Sequence, residues 1–376
     1  MTLSTAAAPL DQLSLNTCQN LGLAWRPEDL TIGANEANEI GGSPRTEILL
    51  MRLPHLVASV VLVLSQLCTA LAQEWPTRYI TEIVPFGPGN SVDIVGRLLA
   101  GRMSELLGQQ VIVENIAGAG GSTGTARAAR AAPDGYTIVI GGADTMAQNQ
   151  TLFEKPSYDP TTDFIPIALA VDLPLVLVGR NSLPPTSLKD LIPYLKAHQD
   201  KMQFGSSGVG GATHLACAQV MQAVGVSLAH VPYRSSAAGI QDLVSGNLDL
   251  YCPVASAALP QIQAKTIKFF GVLTDQRSPL LPDLPTAAEQ GLPGIHGNYW
   301  LGLFAPAGTP APIAAKLTQA AMSALETPDV ESRLRDVGAA VVAPERRTPA
   351  YLKKYLPEEI SNWAKIIKES GVLPKM

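Results

Sequence analysis

Short apolar runs alternate with amphipathic stretches along most of the chain, and the two periods define a sequence of elements. Ile80 to Val84 is a compact apolar run of strand length. Beyond the turn that follows it, Val92, Val95, Leu98 and Leu99 recur at helical spacing. The same exchange repeats down the chain. Strands are predicted at Val111 to Glu114, Thr137 to Ile140, Gln203-Phe204, Leu228 to Pro232, Leu248 to Cys252, Ile267 to Leu273 and Leu301 to Ala305. Helices are predicted at Ser122 to Ala132, Leu188 to His198, Ala212 to Val224, Ala237 to Ser245, Ala255 to Gln263, Pro312 to Leu325 and Pro349 to Ser370. Ala168 to Val178 is a long apolar stretch between them. Strands that alternate with helices predict an α/β fold with parallel sheet.

The turn after the first strand carries a local signal. In Val84-Pro85-Phe86-Gly87-Pro88-Gly89-Asn90-Ser91-Val92-Asp93, Asn90 is a good helix N-cap, and Asp93 three residues on imitates a capping box. A glycine-containing loop thus delivers a strand end into a helix N-terminus. Free N–H groups and the positive end of the helix dipole converge there, which suits a carboxylate or phosphate. The plainer reading is an ordinary, well-capped βα turn.

The first 72 residues read differently. Met51-Arg52-Leu53 is a short basic start, Leu56 to Leu67 an apolar core, and Ala70-Leu71-Ala72 an A-x-A site before Gln73. This predicts a secretory signal over 51–72. Its 12-residue apolar core is too short to span a membrane. Ser65-Gln66-Leu67 lacks the small residue that would favour lipid attachment at Cys68. Residues 1–50 show no sustained period and are expected to be an extension upstream of a true start at Met51, outside the fold, with a disordered N-terminal leader as the alternative. The mature chain, Gln73 to Met376, has 304 residues and a net charge of −2, enough for two domains and without the basic block of a nucleic-acid binder. No later apolar run reaches transmembrane length. Cys217 and Cys252 are its cysteines. They are expected as two buried thiols, although an oxidising compartment would let them pair.

Enzyme readings find weaker support. Gly118-Ala119-Gly120-Gly121-Ser122-Thr123-Gly124 has G-x-G-x-x-x-G spacing rather than the dinucleotide-binding G-x-G-x-x-G, and Asp144 falls late for a ribose contact. A P-loop motif is absent from the sequence. A secreted serine hydrolase using Ser207 would have His214 or His230 nearby, but Val209 stands where a nucleophile elbow needs glycine. The histidines lack metal-ligand spacing. No catalytic residue, metal site or cofactor is predicted.

A set of short motifs is more specific in combination. They are Trp75-Pro76, Val84-Pro85-Phe86-x-Pro88-Gly89 with Asp93 and Arg97, Gly108-Gln109, Val113-Glu114-Asn115, Gly118-Ala119-Gly120-Gly121 and Pro133-Asp134-Gly135-Tyr136-Thr137. The second half adds His214-Leu215-Ala216, Val231-Pro232-Tyr233, Leu281-Pro282-Asp283-Leu284-Pro285-Thr286 with Glu289, and Trp300 before Ala305-Pro306. In this order the chain from 75 to 375 resembles the tripartite tricarboxylate transporter substrate-binding family, the Bordetella-uptake-gene-type periplasmic binding proteins. Three places depart from the family pattern: Asn90 stands for a second glycine, Arg234-Ser235 for a Lys-Gly-like pair, and Cys252-Pro253 follows a strand.

The resemblance implies a type-II periplasmic binding fold, with two α/β lobes joined by two crossovers around a ligand cleft. Lobe 1 is expected from 73–170 plus 275–376 and lobe 2 from 171–274, with crossovers near Val171 and Thr274. It implies a monomeric periplasmic protein that captures a small organic acid and passes it to membrane permease subunits or a sensor kinase, with no nucleic-acid partner. Strand-end logic places Phe86, Pro88, Gly89, Asn90, Ser91, Asp93, Ala143, Asp144 and Thr145 on one wall of the cleft. Ser206, Ser207, Gly208, Tyr233 and Ser235 fall on the other. Backbone amides from Pro88 to Ser91 are expected to face the ligand carboxylate, and the hydroxyls of Ser207 and Tyr233 to close over it. Asp249 joins the site set, with a hinge or backbone-satisfying role as its other reading.

Overall fold

The computed structural model describes residues Trp75–Ser370. The upstream segment, the signal region, its cleavage site, Cys18 and Cys68 lie outside the described residues. Two sheets organise the rest. The chain starts with β1 (Ile80–Val84), α1 (Ser91–Leu107), β2 (Val111–Asn115), α2 (Ser122–Ala129), β3 (Thr137–Gly142), α3 (Asn149–Leu152) and β4 (Phe164–Pro174). It continues with β5 (Val176–Arg180), α4 (Leu188–His198), β6 (Gln203–Ser206), α5 (Ala212–Val224), β7 (Ala229–Pro232), α6 (Ser236–Ser245), β8 (Leu250–Tyr251), α7 (Ala255–Gln263) and β9 (Ile267–Val272). It closes with β10 (Asn298–Pro306), α8 (Ala311–Leu325), α9 (Pro328–Asp336), β11 (Ala340–Val341) and α10 (Pro349–Glu369).

The first sheet has the order β11-β4-β10-β3-β1-β2 and the second β7-β6-β8-β5-β9. β1, β2 and β3 run parallel, as do β6, β7 and β8, while β10 is antiparallel to β3 and β4. Both chain ends therefore build one lobe, and the middle builds the other. Covered on both faces, β1 shows the near-continuous burial of a parallel strand rather than alternation. α1 buries Val92, Val95, Leu98, Leu99 and Met103 against that sheet and stops at Gly108, whose φ of 67° is left-handed.

The apolar stretch from 168 to 178 is two strands in two sheets. β4 runs through Pro174, beyond the expected crossover at Val171, and the chain changes sheet at Leu175. At that point the two crossing segments are bonded to each other. The Leu175 amide donates to Gly297 O at 2.9 Å, and the Leu273 amide donates to Leu175 O at 2.8 Å. Gly297 is required here, because a Cβ on it would lie 2.2 Å from Leu273 O.

Cys217 and Cys252 are joined in a disulfide, with Cα atoms 5.5 Å apart. This corrects the expectation of two thiols. Cys217 on α5 and Cys252, just after β8, are both fully buried and meet in the second lobe, a proximity that a separation of 35 residues conceals. Among the described residues no helix is long and apolar enough to cross a membrane.

Candidate functional site

The C-terminal ends of both parallel strand sets point at the junction between the lobes. β3 ends at Gly142 opposite Leu301, near the start of β10, which itself begins beside Gly297. β8 ends beside the start of β5: the Val176 amide donates to Pro253 O at 3.0 Å, and Leu175 bridges Val254. The loops after β1, β2 and β3 thus meet the loops after β6, β7 and β8 around one hinge, where ligands sit in open α/β folds. One cross-lobe approach is tight, since a Cβ on Gly338 would lie 2.3 Å from Ser256 Cβ on α7.

On the first wall, Asn90 caps α1 by accepting from the Asp93 amide at 3.0 Å, and its Nδ2 donates to Gly87 O at 2.7 Å. Asp93 is buried. Its Oδ2 accepts from the Gly89 amide at 2.9 Å and from Arg97 Nε at 3.0 Å, and its Oδ1 from Asn115 Nδ2 at 2.8 Å. Burial opposes ionisation of Asp93, but the bonds from Arg97, Gly89 and Asn115 outweigh it and hold its pKa below the ordinary value. The loop amides therefore do not all face a ligand. Pro88 has no N–H, and the Gly89 amide is taken by Asp93. Gly89 serves the turn through its φ of 84° rather than through close approach, because nothing lies within 4 Å of its would-be Cβ. The Ser91 amide, in the first helical turn, lacks an intrahelical acceptor.

Phe86 packs over Gly121, where a Cβ would lie 2.9 Å from the Phe86 ring and 2.5 Å from Thr145 Cγ2. This brings the loops after β1, β2 and β3 together. Thr145 and Ala143 are fully buried. Thr145 Oγ1 accepts from the Gly142 amide at 3.1 Å, and its carbonyl receives the Tyr158 hydroxyl. Neither offers surface to a ligand, which corrects their placement on the cleft wall. Asp144 between them keeps some surface. Its Oδ1 accepts from the Thr145 amide at 2.7 Å and its Oδ2 from Tyr299 Oη at 2.8 Å. Burial raises its pKa to about 6 against the pull of those bonds.

On the second wall Ser207 is exposed, and its Oγ lies 2.9 Å from Thr213 Oγ1. Gly208 is half-buried beside it. Ser206 is fully buried; its Oγ meets Gly208 N and O at 3.1 Å and His230 Nε2 at 2.7 Å. The serine that meets a histidine is thus the enclosed Ser206 rather than Ser207. Ser235 caps α6 by accepting from the Ala238 amide at 3.3 Å. Tyr233 donates its hydroxyl to Asp242 Oδ2 at 2.9 Å within its own lobe, so it is not poised over a ligand as expected. Burial and the Asp242 charge push that phenol up to about 12.

Asp249 lies at the wrong end of its strand. It precedes β8 and pairs with Arg180 Nε at 2.7 Å and the Gln203 amide at 2.9 Å, where β6 begins. It is a strand-start ion pair away from the cleft loops, and by taking the Gln203 amide it fills the backbone-satisfying role that was its other reading. Sequence reasoning missed Tyr299, Thr213 and Ser256, whose partners lie on other elements. Among the described residues no group of three or more His, Cys, Asp or Glu is placed to hold a metal ion.

Two α/β lobes whose parallel strand ends converge on a double crossover define a solute-binding protein of the bilobal periplasmic type. The family model for the tripartite tricarboxylate transporter family receptor matches residues 95–372, and the chain belongs to that family. Solved relatives have the same fold. The periplasmic binding protein BugD is 36% identical with a TM-score of 0.71, covering 80% of this chain and 100% of its own. MatC from Rhodopseudomonas palustris with bound malate is 38% identical with a TM-score of 0.70, covering 78% of this chain and all of its own. Another R. palustris protein, with adipate, is 34% identical with a TM-score of 0.72, over 80% of this chain and 100% of its own. The protein is therefore a solute-binding receptor of this family.

Proposed function

We propose that the protein captures a small carboxylic acid in the periplasm and hands it to membrane permease subunits or to a sensor kinase without chemical change, acting as a monomer. The signal over 51–72 would deliver it there. With Leu175 as the turning point rather than Val171, lobe 1 would comprise 73–174 and 275–376 and lobe 2 175–274. The observation that carries the reading is the convergence of two sets of parallel strand ends on one hinge, each set leading into helix N-termini. Fixed amides and hydroxyls there supply the several donors that a carboxylate needs when it leaves water. Phe86, Pro88, Asn90 and Ser91 form one side of this site and Ser207, Gly208 and Ser235 the other. Asp93 and Ser206 hold their loops in shape.

Binding without turnover fits the serines, since Ser207 Oγ contacts Thr213 and Ser206 is enclosed. The relatives with malate and adipate point to the same ligand class. Thermal-shift screening of dicarboxylates, hydroxy acids, aromatic acids and amino acids tests the proposal. An acid at about 100 times its Kd should stabilise the protein by roughly 2.7 kcal/mol. A melt that moves with a neutral sugar or an amine, and with no acid, would reject the ligand class.

A further inference from the structure

The six strand-end loops around the hinge (85–91, 116–122, 143–149, 207–211, 233–236 and 252–255) carry two charged side chains, Asp144 and Arg234. Asp144 is the acidic one, and it is held in place from two sides. The Thr145 amide fixes Oδ1 at 2.7 Å and Tyr299 fixes Oδ2 at 2.8 Å. Tyr299 is itself pinned: it is buried on β10, and its Oη lies 3.0 Å from where a Cβ on Gly142 would stand. Burial and the neighbouring Asp144 push the phenol well above its ordinary pKa, so it remains a donor. Its own amide and the Thr145 hydroxyl also lie beside this carboxylate, but each oxygen has one well-formed bond, from the Thr145 amide and from Tyr299, and a carboxylate oxygen can accept two. The residue keeps surface at the end of β3, where the strand meets the hinge.

Resting on the acid-binding reading above, we propose that Asp144 selects acids that carry a hydrogen-bond donor, a hydroxyl or an ammonium, beyond their carboxylates. An ionised Asp144 repels a second carboxylate brought beside it and offers its spare lone pairs to an O–H or N–H. An acid of the same length without the donor leaves that acceptor unpaired as the lobes close and water leaves.

The titratable groups on elements packed against this turn are few. β10 supplies Tyr299, and the loop before β4 supplies Tyr158. α10 supplies Tyr355 and Glu359, and Glu359 is taken up by His296, Trp300 and Trp363. Asp144, with its pKa of about 6, is therefore the group on this wall that changes charge between pH 5 and 7.5. Affinity for the succinate dianion, corrected for the ligand's own second ionisation, should fall across that range, and affinity for a donor-bearing dianion should fall less or rise.

Calorimetry with matched sets tests this: succinate against L-malate and L-aspartate, and glutarate against 2-hydroxyglutarate and L-glutamate. At pH 7.5 a donor-bearing member should bind about tenfold or more tightly than its plain counterpart, one charge-assisted bond's worth. Malate and aspartate distinguish a hydroxyl from an ammonium as the donor. In Asp144→Ala, checked for a cooperative melt, the ratio should fall toward one, and in Asp144→Asn the pH dependence of succinate binding should shrink to that of succinate's own second ionisation. Tyr299→Phe removes a bond to the ionised form and should move the midpoint of that pH dependence upward, which a merely structural role would not do. Equal affinity of plain and donor-bearing acids in the wild type, or a ratio unchanged in Asp144→Ala, overturns the inference alone. Failure of every acid in both sets to bind overturns it together with the acid-binding reading.

Discussion

Glu82 is fully buried on β1, and neither of its carboxyl oxygens has a hydrogen-bond partner among the described residues. Its Oε1 lies 2.6 Å from where a Cβ on Gly96 would stand, so α1 seals it in. Burial raises its pKa from 4.5 to about 8; Arg97 pulls it down and Asp93 adds to the rise. Below pH 4.5 the folded and unfolded states are both protonated, and the group carries no penalty. Between 4.5 and 8 the unfolded chain releases a proton that the folded chain retains, so stability falls as pH rises. At pH 7 this costs on the order of 3 kcal/mol. Glu82→Gln should flatten the decline of the melting temperature between pH 5 and 8, and parallel declines in the two proteins would reject the assignment. The capping pair Asn90 and Asp93 is legible in the sequence because its partners lie three residues apart. Asp144 and Tyr299 are 155 residues apart, and nothing local announces that pair. Asp249 was misplaced for a related reason: composition marks a strand but does not say which end of it faces the cleft.

Among the elements, the disulfide ties α5, which begins just after the Ser207 loop, to the end of β8. Both loops belong to the second wall. Closing a loop across a separation of 35 residues restricts the unfolded chain by about 4 kcal/mol in the chain-entropy account. The Cys217→Ser, Cys252→Ser double variant should therefore lose about 2–4 kcal/mol in urea unfolding. The wild type treated with reductant under unfolding conditions should approach it. Equal stability of the oxidised and doubly substituted proteins would show that the bridge constrains nothing. Strand and helix positions were largely legible, since burial periods mark β1, α1, α5 and α7 directly. The split of 168–178 into β4 and β5 was not. Pro174-Leu175 interrupts neither the apolar run nor its burial, and the change of sheet depends on the distant partners Gly297 and Leu273.

The lobes of the whole molecule meet at the two crossovers, where α10 packs on α5, and where Gly338 approaches Ser256. Leu175, Leu273 and Gly297 bond across the two crossovers, and His296 links both sides of the junction. The His296 amide donates to Gln219 Oε1 on α5 at 2.8 Å, and its Nε2 lies 2.9 Å from Glu359 Oε1 on α10. Burial disfavours the charged imidazole, but Glu359 beside it prevails and raises its pKa, while the same contact lowers that of the buried Glu359. In the site proposed above, hydrogen bonds from both walls to one small acid would all be made only when the lobes close over it, so the ligand would favour the closed form by its differential affinity. Small-angle scattering of the protein should show a smaller radius of gyration with a saturating acid from the screen than without it. Gly297→Ala forces a methyl to within 2.2 Å of Leu273 O and should weaken the contraction along with the affinity. An unchanged scattering profile, with saturation confirmed by calorimetry on the same sample, would mean that binding needs no closure and that one wall suffices.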